Sequence, residues 1–157
     1  LVLILTLAAC SGDSYMGDTM NAVPDPFDCN TTFTTAVREF NGGQSPQLEV
    51  VSTQDDWCAL WVEIYSTAGT VPPCNTGLVD FQTQVALVAA TSGPTTCTGI
   101  EITCVQRDPD DSLTVVYRVH TPQPGELCGQ LYVNPVHVVS VYLPVGLVTF
   151  VPDTSTP

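Results

Sequence analysis

Residues 52–64, S-T-Q-D-D-W-C-A-L-W-V-E-I, carry helical periodicity in a chain whose apolar residues otherwise alternate as they do in strands. Trp57, Leu60, Trp61 and Ile64 fall at i, i+3, i+4 and i+7, so both tryptophans share one apolar stripe. Ser52 or Thr53 is placed to cap this helix, with Asp55 or Asp56 three residues on, near the positive end of its dipole. Two indole rings on one short helix must bury against something large. The sheet formed by the surrounding strands is the expected partner, and the helix becomes the anchor of the domain.

The strands follow from alternation and turn residues. Residues 32–40 place Phe33, Thr35 and Val37 on one face, and residues 47–51 lead into the helix. Residues 79–89 alternate Val79, Phe81, Val85, Leu87 and Ala89 with Asp80, Gln82, Gln84 and Ala86. Residues 99–106 set Ile100, Ile102 and Cys104 against Glu101, Thr103 and Val105. Residues 113–119 return, and 131–133, 137–143 and 147–151 are expected to close the sheet. Gly- and Pro-rich turns separate them at 41–46, 91–96, 107–112 and 122–125. No strand–helix–strand alternation exists, which disfavours a doubly wound parallel sheet. The expected fold is α+β, mainly β: a twisted antiparallel sheet of seven to eight strands, curled into a partly closed barrel or a sandwich, with one helix packed on it.

Charge narrows the partners. The 157 residues hold 16 Asp and Glu against 3 cations, Arg38, Arg107 and Arg118, and no lysine. Such a surface repels phosphate backbones, so nucleic acid is not an expected partner. It attracts basic partners and divalent cations without specificity. Seven cysteines in this length point to an oxidising compartment.

Residues 1–9 are apolar apart from Thr6 and end Leu7-Ala8-Ala9 ahead of Cys10. This resembles the end of a bacterial lipoprotein signal, which implies cleavage before Cys10 and acylation there. With no starting Met and no basic stretch ahead of the apolar run, residues 1–9 are expected to be the end of a longer signal peptide. The run is far short of the about 20 apolar residues that span a bilayer, whereas several acyl chains anchor firmly. Ser11, rather than Asp, implies the outer membrane by resemblance to the sorting rule of such lipoproteins. Residues 10–28, with Gly12, Asp13, Gly17, Asp18, Pro24, Asp25, Pro26 and Asp28, read as a flexible acidic tether. Setting Cys10 aside leaves an even six cysteines, which suits three disulfides in several connectivities. Cys58 on the helix can reach Cys74 in the following loop; closing that ring of about 15 residues stabilises on the order of 3 kcal/mol through chain entropy. Asn30-Thr31-Thr32 matches a glycosylation sequon, read here as accidental.

Catalytic chemistry finds little support. There is no G-x-S-x-G, and the histidines available as bases, His120 and His137, lack sequence-adjacent partners. His120 ends a strand beside a proline, and His137 shares parity with Val139 and Val141, as a satisfied core histidine does. Oxidised cysteines do not attack, and without a C-x-x-C pair a zinc ribbon is not expected. Asp108, Asp110 and Asp111 lack the spacing of a calcium loop and read as a solvated hairpin turn. Asp80 reads as a turn acceptor. No enzyme activity, metal or cofactor is expected.

Three features occur in order: S-T-Q-D-D-W-C-A-L-W at residues 52–61, V-D-F at 79–81 and P-V-H-V-V at 135–139. A strand pair and the P-Q-P-G loop at 122–125 lie between the last two. The arrangement resembles the C-terminal domain family of the protease complex subunit PrcB, over residues 32–151. By that resemblance Trp57, Leu60, Trp61, Asp80, Phe81 and Pro135 are the signature and core residues. The chain departs from the family at its central turn, where Thr96-Cys97-Thr98-Gly99-Ile100 replaces a Gly-rich element. A bridge from Cys97 to Cys128 is expected there, which leaves Cys29 for Cys104. The resemblance implies a non-catalytic, lipid-anchored subunit that supports assembly or stability of an extracellular protease, with a secreted subtilisin-like protease as partner. The alternative is an adhesion or ligand-binding surface lipoprotein unrelated to proteolysis. The organisation expected is a signal peptide (1–9), the tether (10–28), a PrcB-like domain (29–152) and a disordered tail (153–157).

Overall fold

Seven strands and one α-helix make up the computed structural model, which describes residues 27–154. Cys10, the signal stretch and the tether up to residue 26 lie outside the described residues. In chain order the elements are β1 (Thr34–Glu39), β2 (Gln47–Val51), α1 (Gln54–Tyr65) with a short 3-10 turn after it, β3 (Gln84–Ala90), β4 (Gly99–Arg107), β5 (Leu113–His120), β6 (Val136–Tyr142) and β7 (Val148–Pro152). Two open sheets form, β1-β6-β3-β2 and β4-β5-β7, stacked as a sandwich and not closed into a barrel. Every pairing is antiparallel except β5 with β7, which is parallel.

The molecule has three layers: α1, the four-stranded sheet, and the three-stranded sheet. The middle layer explains the long apolar runs of β3 and β6, because a strand covered on both faces needs apolar residues at consecutive positions. Ala86, Val88, Ala90, Val136 and Val138 meet the helix stripe of Trp57, Leu60, Trp61 and Ile64. Val85, Leu87, Ala89, Val139 and Val141 meet Ile100, Ile102, Val105, Leu113 and Val115 of the second sheet.

Thr53 caps α1, its Oγ1 accepting the Asp56 N–H at 3.2 Å and donating to the Asp56 carboxylate at 2.6 Å. This is a side-chain N-cap: the hydroxyl satisfies one of the free N–H groups of the first turn and is itself held by the Asp56 carboxylate. At the other end the Gly43 N–H donates to the Ile64 carbonyl at 3.0 Å. A Cβ on Gly43 would lie 2.6 Å from the Glu63 carbonyl oxygen, so the approach requires glycine.

Two bulges overturn the expected strand faces. In β1 the register shifts between Thr35 and Val37, so Phe33 packs toward the second sheet while Val37 joins the helix layer. In β4 it shifts between Ile102 and Cys104, so Val105 enters the inter-sheet core, and Cys104 leaves it. One extra residue inverts the parity of everything after it. Residues 79–83 do not extend the third strand: they form a turn organised by Asp80. Nor do residues 131–133 form a strand; Val133 makes an isolated bridge to Gly93. Asp153, placed in the tail by the sequence, is held by an N–H donation to the Tyr117 carbonyl at 2.7 Å and an ion pair with Arg118.

The disulfides are Cys29–Cys104, Cys58–Cys74 and Cys97–Cys128. The first fastens the segment ahead of β1 along the outer edge of β4. There the Asn30 side chain donates to the Arg107 carbonyl at 3.0 Å and accepts its N–H at 2.8 Å, as a strand residue would. The sequon asparagine is thus committed to the fold. No helix among the described residues is long and apolar enough to cross a membrane.

Candidate functional site

Trp57, Leu60 and Trp61 are buried, Phe81 is half-buried against them, Asp80 lies in an exposed turn, and Pro135 lines a surface groove. Trp57 is fully buried and Trp61 is 6% exposed. Their indole N–H groups donate to the Asn75 carbonyl at 3.0 Å and the Pro72 carbonyl at 3.1 Å. These carbonyls flank Cys74, which is bonded to Cys58 between the two tryptophans. The helix therefore grips the 69–77 loop at three successive points, and each buried indole N–H finds the partner that burial demands. Phe81 packs on Trp57 with ring centroids 6.3 Å apart, and Leu60 lies in the same cluster. The Asp80 carboxylate accepts the Gln82 N–H at 3.1 Å and the Thr83 hydroxyl at 2.9 Å, which makes it a turn organiser. These residues are structural, and none of the rings is presented to solvent as a platform.

Pro135 lies elsewhere. It lines a groove of about 480 Å³ at the mouth of the sandwich, where the end of β1 meets the starts of β4 and β6 and the end of β5. Two of the three cations of the chain line it. Arg38 pairs with Glu101 at 2.6 Å, each about half exposed. Arg118 donates through Nε to Asp153 at 3.0 Å. Phe40, 47% exposed, supplies an aromatic wall, and the exposed His120 stands 3.6 Å from Glu126. Guanidinium donors, carboxylate acceptors and an aromatic face converge here, a set suited to noncovalent recognition. Chain order does not reveal this convergence; the scarcity of cations was the one signal that could have pointed to it.

His137 sits behind the groove and is 1% exposed. Its Nδ1 accepts the Ile102 N–H at 2.9 Å, and Nε2 lies 3.0 Å from Thr35 Oγ1 and 3.5 Å from Arg38 Nη2. A backbone N–H only donates, so Nδ1 must be unprotonated and Nε2 carries the proton toward Thr35. Burial, reinforced by the Arg38 charge and opposed by Glu101, lowers the His137 pKa to about 4. At neutral pH the ring is a neutral crosslink between the sheets.

At the opposite end Arg107 donates to the Tyr142 carbonyl at 2.6 Å and to the Pro144 carbonyl, fixing the 143–146 loop. In the neighbouring hairpin the Asp110 carboxylate accepts the Ser112 hydroxyl at 2.7 Å and the Ser112 N–H at 3.1 Å. Those bonds hold its pKa below the usual carboxylate range. Asp108 likewise accepts from Ser112, so the acidic loop acts as a self-bonded turn. Cys97, Glu126 and Cys128 approach one another, but both sulfurs are spent in the disulfide.

No family model matches the chain, and no curated protein or solved structure matches it.

Proposed function

We propose that this chain is a non-catalytic, lipid-anchored binding module that supports the assembly or stability of an extracellular protease, as its resemblance to the PrcB family implies. The observation that carries this reading is the commitment of Trp57, Leu60 and Trp61 to one disulfide-stapled helix–loop unit. Such a unit builds a rigid scaffold and leaves recognition to the surface. The lipobox-like stretch ending in Cys10 and the oxidised cysteines fit a cell-envelope location, with attachment at the outer membrane.

The deciding experiment is affinity purification of the native lipoprotein after gentle extraction, with identification of what accompanies it. A secreted protease, of subtilisin type by the resemblance, is the expected companion; its absence sinks the protease role. Cys10→Ser should move the protein from the membrane to the soluble fraction, and a variant that stays membrane-bound would refute lipid anchoring.

A second reading, a ligand-binding surface lipoprotein unrelated to proteolysis, draws on the groove at the sandwich mouth. Arg38, Arg118 and Phe40 there suit a small anionic or carboxylate-ended ligand. Binding of such a ligand in the absence of any protease companion would favour it.

A further inference from the structure

We infer that the free edge of β2 is a docking strand for an extended segment of a protein partner that carries lysine or arginine at alternate positions. The inference rests on the reading that the chain binds a protein, and it stands whether or not that protein is a protease.

β2 ends the four-stranded sheet, and among the described residues it pairs only with β3. Half of its backbone N–H and C=O groups therefore face outward, as a template for another strand. The other edges are blunted. β1 carries a bulge, β4 carries a bulge and is lined by the segment fastened at Cys29, and β7 ends on Pro152. Within β2 the register with β3 runs without a shift and there is no proline.

The two faces of this edge differ in chemistry. Leu48 and Val50 are 40% and 38% exposed, on the side facing away from the helix. On the helix side Glu49 joins Asp56 and Glu63 of α1 in lining a groove of about 380 Å³. None of the groove's lining residues is a cation, and the three arginines pair elsewhere, with Glu101, Asp111 and Asp153. Burial raises the Glu49 pKa above the usual carboxylate range, and the Glu63 and Asp56 charges add to the shift. A strand laid along β2 would set alternate side chains on Leu48 and Val50 and the intervening ones among the carboxylates. Apolar residues suit the first row and basic residues the second.

Charge also decides between occupants. Residues 10–28 hold only acidic charges, Asp13, Asp18, Asp25 and Asp28, so they cannot supply the basic row. A second copy would bring the same carboxylates together at a net charge of -13 per chain. Glu49 thus works against self-pairing while favouring a partner of opposite charge.

The probe is a synthetic peptide of about six residues, a common strand length, alternating valine and lysine. Its affinity is read by fluorescence anisotropy at low salt, and its position by amide hydrogen exchange. The expected result is saturable binding with slowed exchange within Gln47–Val51. A valine–glutamate peptide should bind at least about tenfold more weakly, as should the lysine peptide to the Glu49→Gln/Asp56→Asn/Glu63→Gln protein. N-methylation of alternate peptide amides should abolish binding in one of the two registers. Protection away from β2, indifference to both charge changes, indifference to N-methylation in both registers, or no binding at all would each overturn the proposal. If the triple variant misfolds, Glu63→Gln alone and the methylated peptides still decide. A purification without a protease would leave a positive result here intact, and failure here would leave the purification result intact.

Discussion

The Nδ1 nitrogen of His137, on the central strand β6, accepts the backbone N–H of Ile102, on the edge strand β4, at 2.9 Å. One imidazole thereby supplies an acceptor for an edge amide of one sheet from inside the other.

That contact makes stability depend on pH. The folded pKa of about 4 lies below the ordinary histidine value, so the unfolded chain takes up a proton first as pH falls. The contribution is fully present above about pH 6.5 and is lost between there and about pH 4, on the order of 3 kcal/mol in total. Urea unfolding at pH 7.5 and 4.5 should show this drop in the parent protein and a smaller one in His137→Leu. Equal drops would remove His137 as the cause.

Trp61→Ala should cost about 3–5 kcal/mol, because it empties a ring-sized volume under the helix. Trp61→Phe keeps most of the ring but orphans the Pro72 carbonyl, and about 1 kcal/mol is expected. The unfolding midpoints and the near-ultraviolet circular dichroism of both variants check this. A Trp61→Ala protein with an unshifted midpoint would end the anchor reading.

Cys58→Ala/Cys74→Ala should lower stability by about 3 kcal/mol, set by the ring that the bond closes. The two indole donations remain, so the 69–77 loop should stay docked while its amides exchange faster. Exchange around Cys97 and Cys128 should not change. A loop that detaches entirely would show that the tryptophan contacts depend on the disulfide.

Glu49→Gln should stabilise the protein at neutral pH by a few tenths of a kcal/mol, the scale of a half-solvated charge repulsion. A raised carboxylate pKa favours the folded state at low pH, and that benefit fades as pH rises through the folded value. The advantage of the variant over the parent should therefore shrink toward acid pH. A Glu49→Gln protein less stable than the parent at pH 7 would contradict the crowding of Glu49 by Glu63 and Asp56.

The helix was legible because Trp57, Leu60, Trp61 and Ile64 keep strict helical spacing, and all four are buried. Mainly β architecture was legible from alternation and turn residues. The faces of β1 and β4 were not, because the extra residue of a bulge leaves no mark in composition, although it redirects Val37 and Val105. Residues 79–83 alternate like a strand, yet Asp80 binds its own neighbours and turns the chain; local hydrogen bonding outweighed the pattern. The groove at the sandwich mouth draws on residues from 38 to 136, a convergence set by sheet stacking and by no local motif.

The bond between Cys29 and Cys104 also governs mechanical load. Tension applied to the chain ahead of Cys29 reaches Cys104 in β4 before it can reach β1. The force then enters a strand joined to β5 over eight residue pairs, instead of one that, among the described strands, is held along β6 alone. Reducing that single bond would shift the load to β1 and let a pull from the N-terminal side peel the four-stranded sheet from its edge.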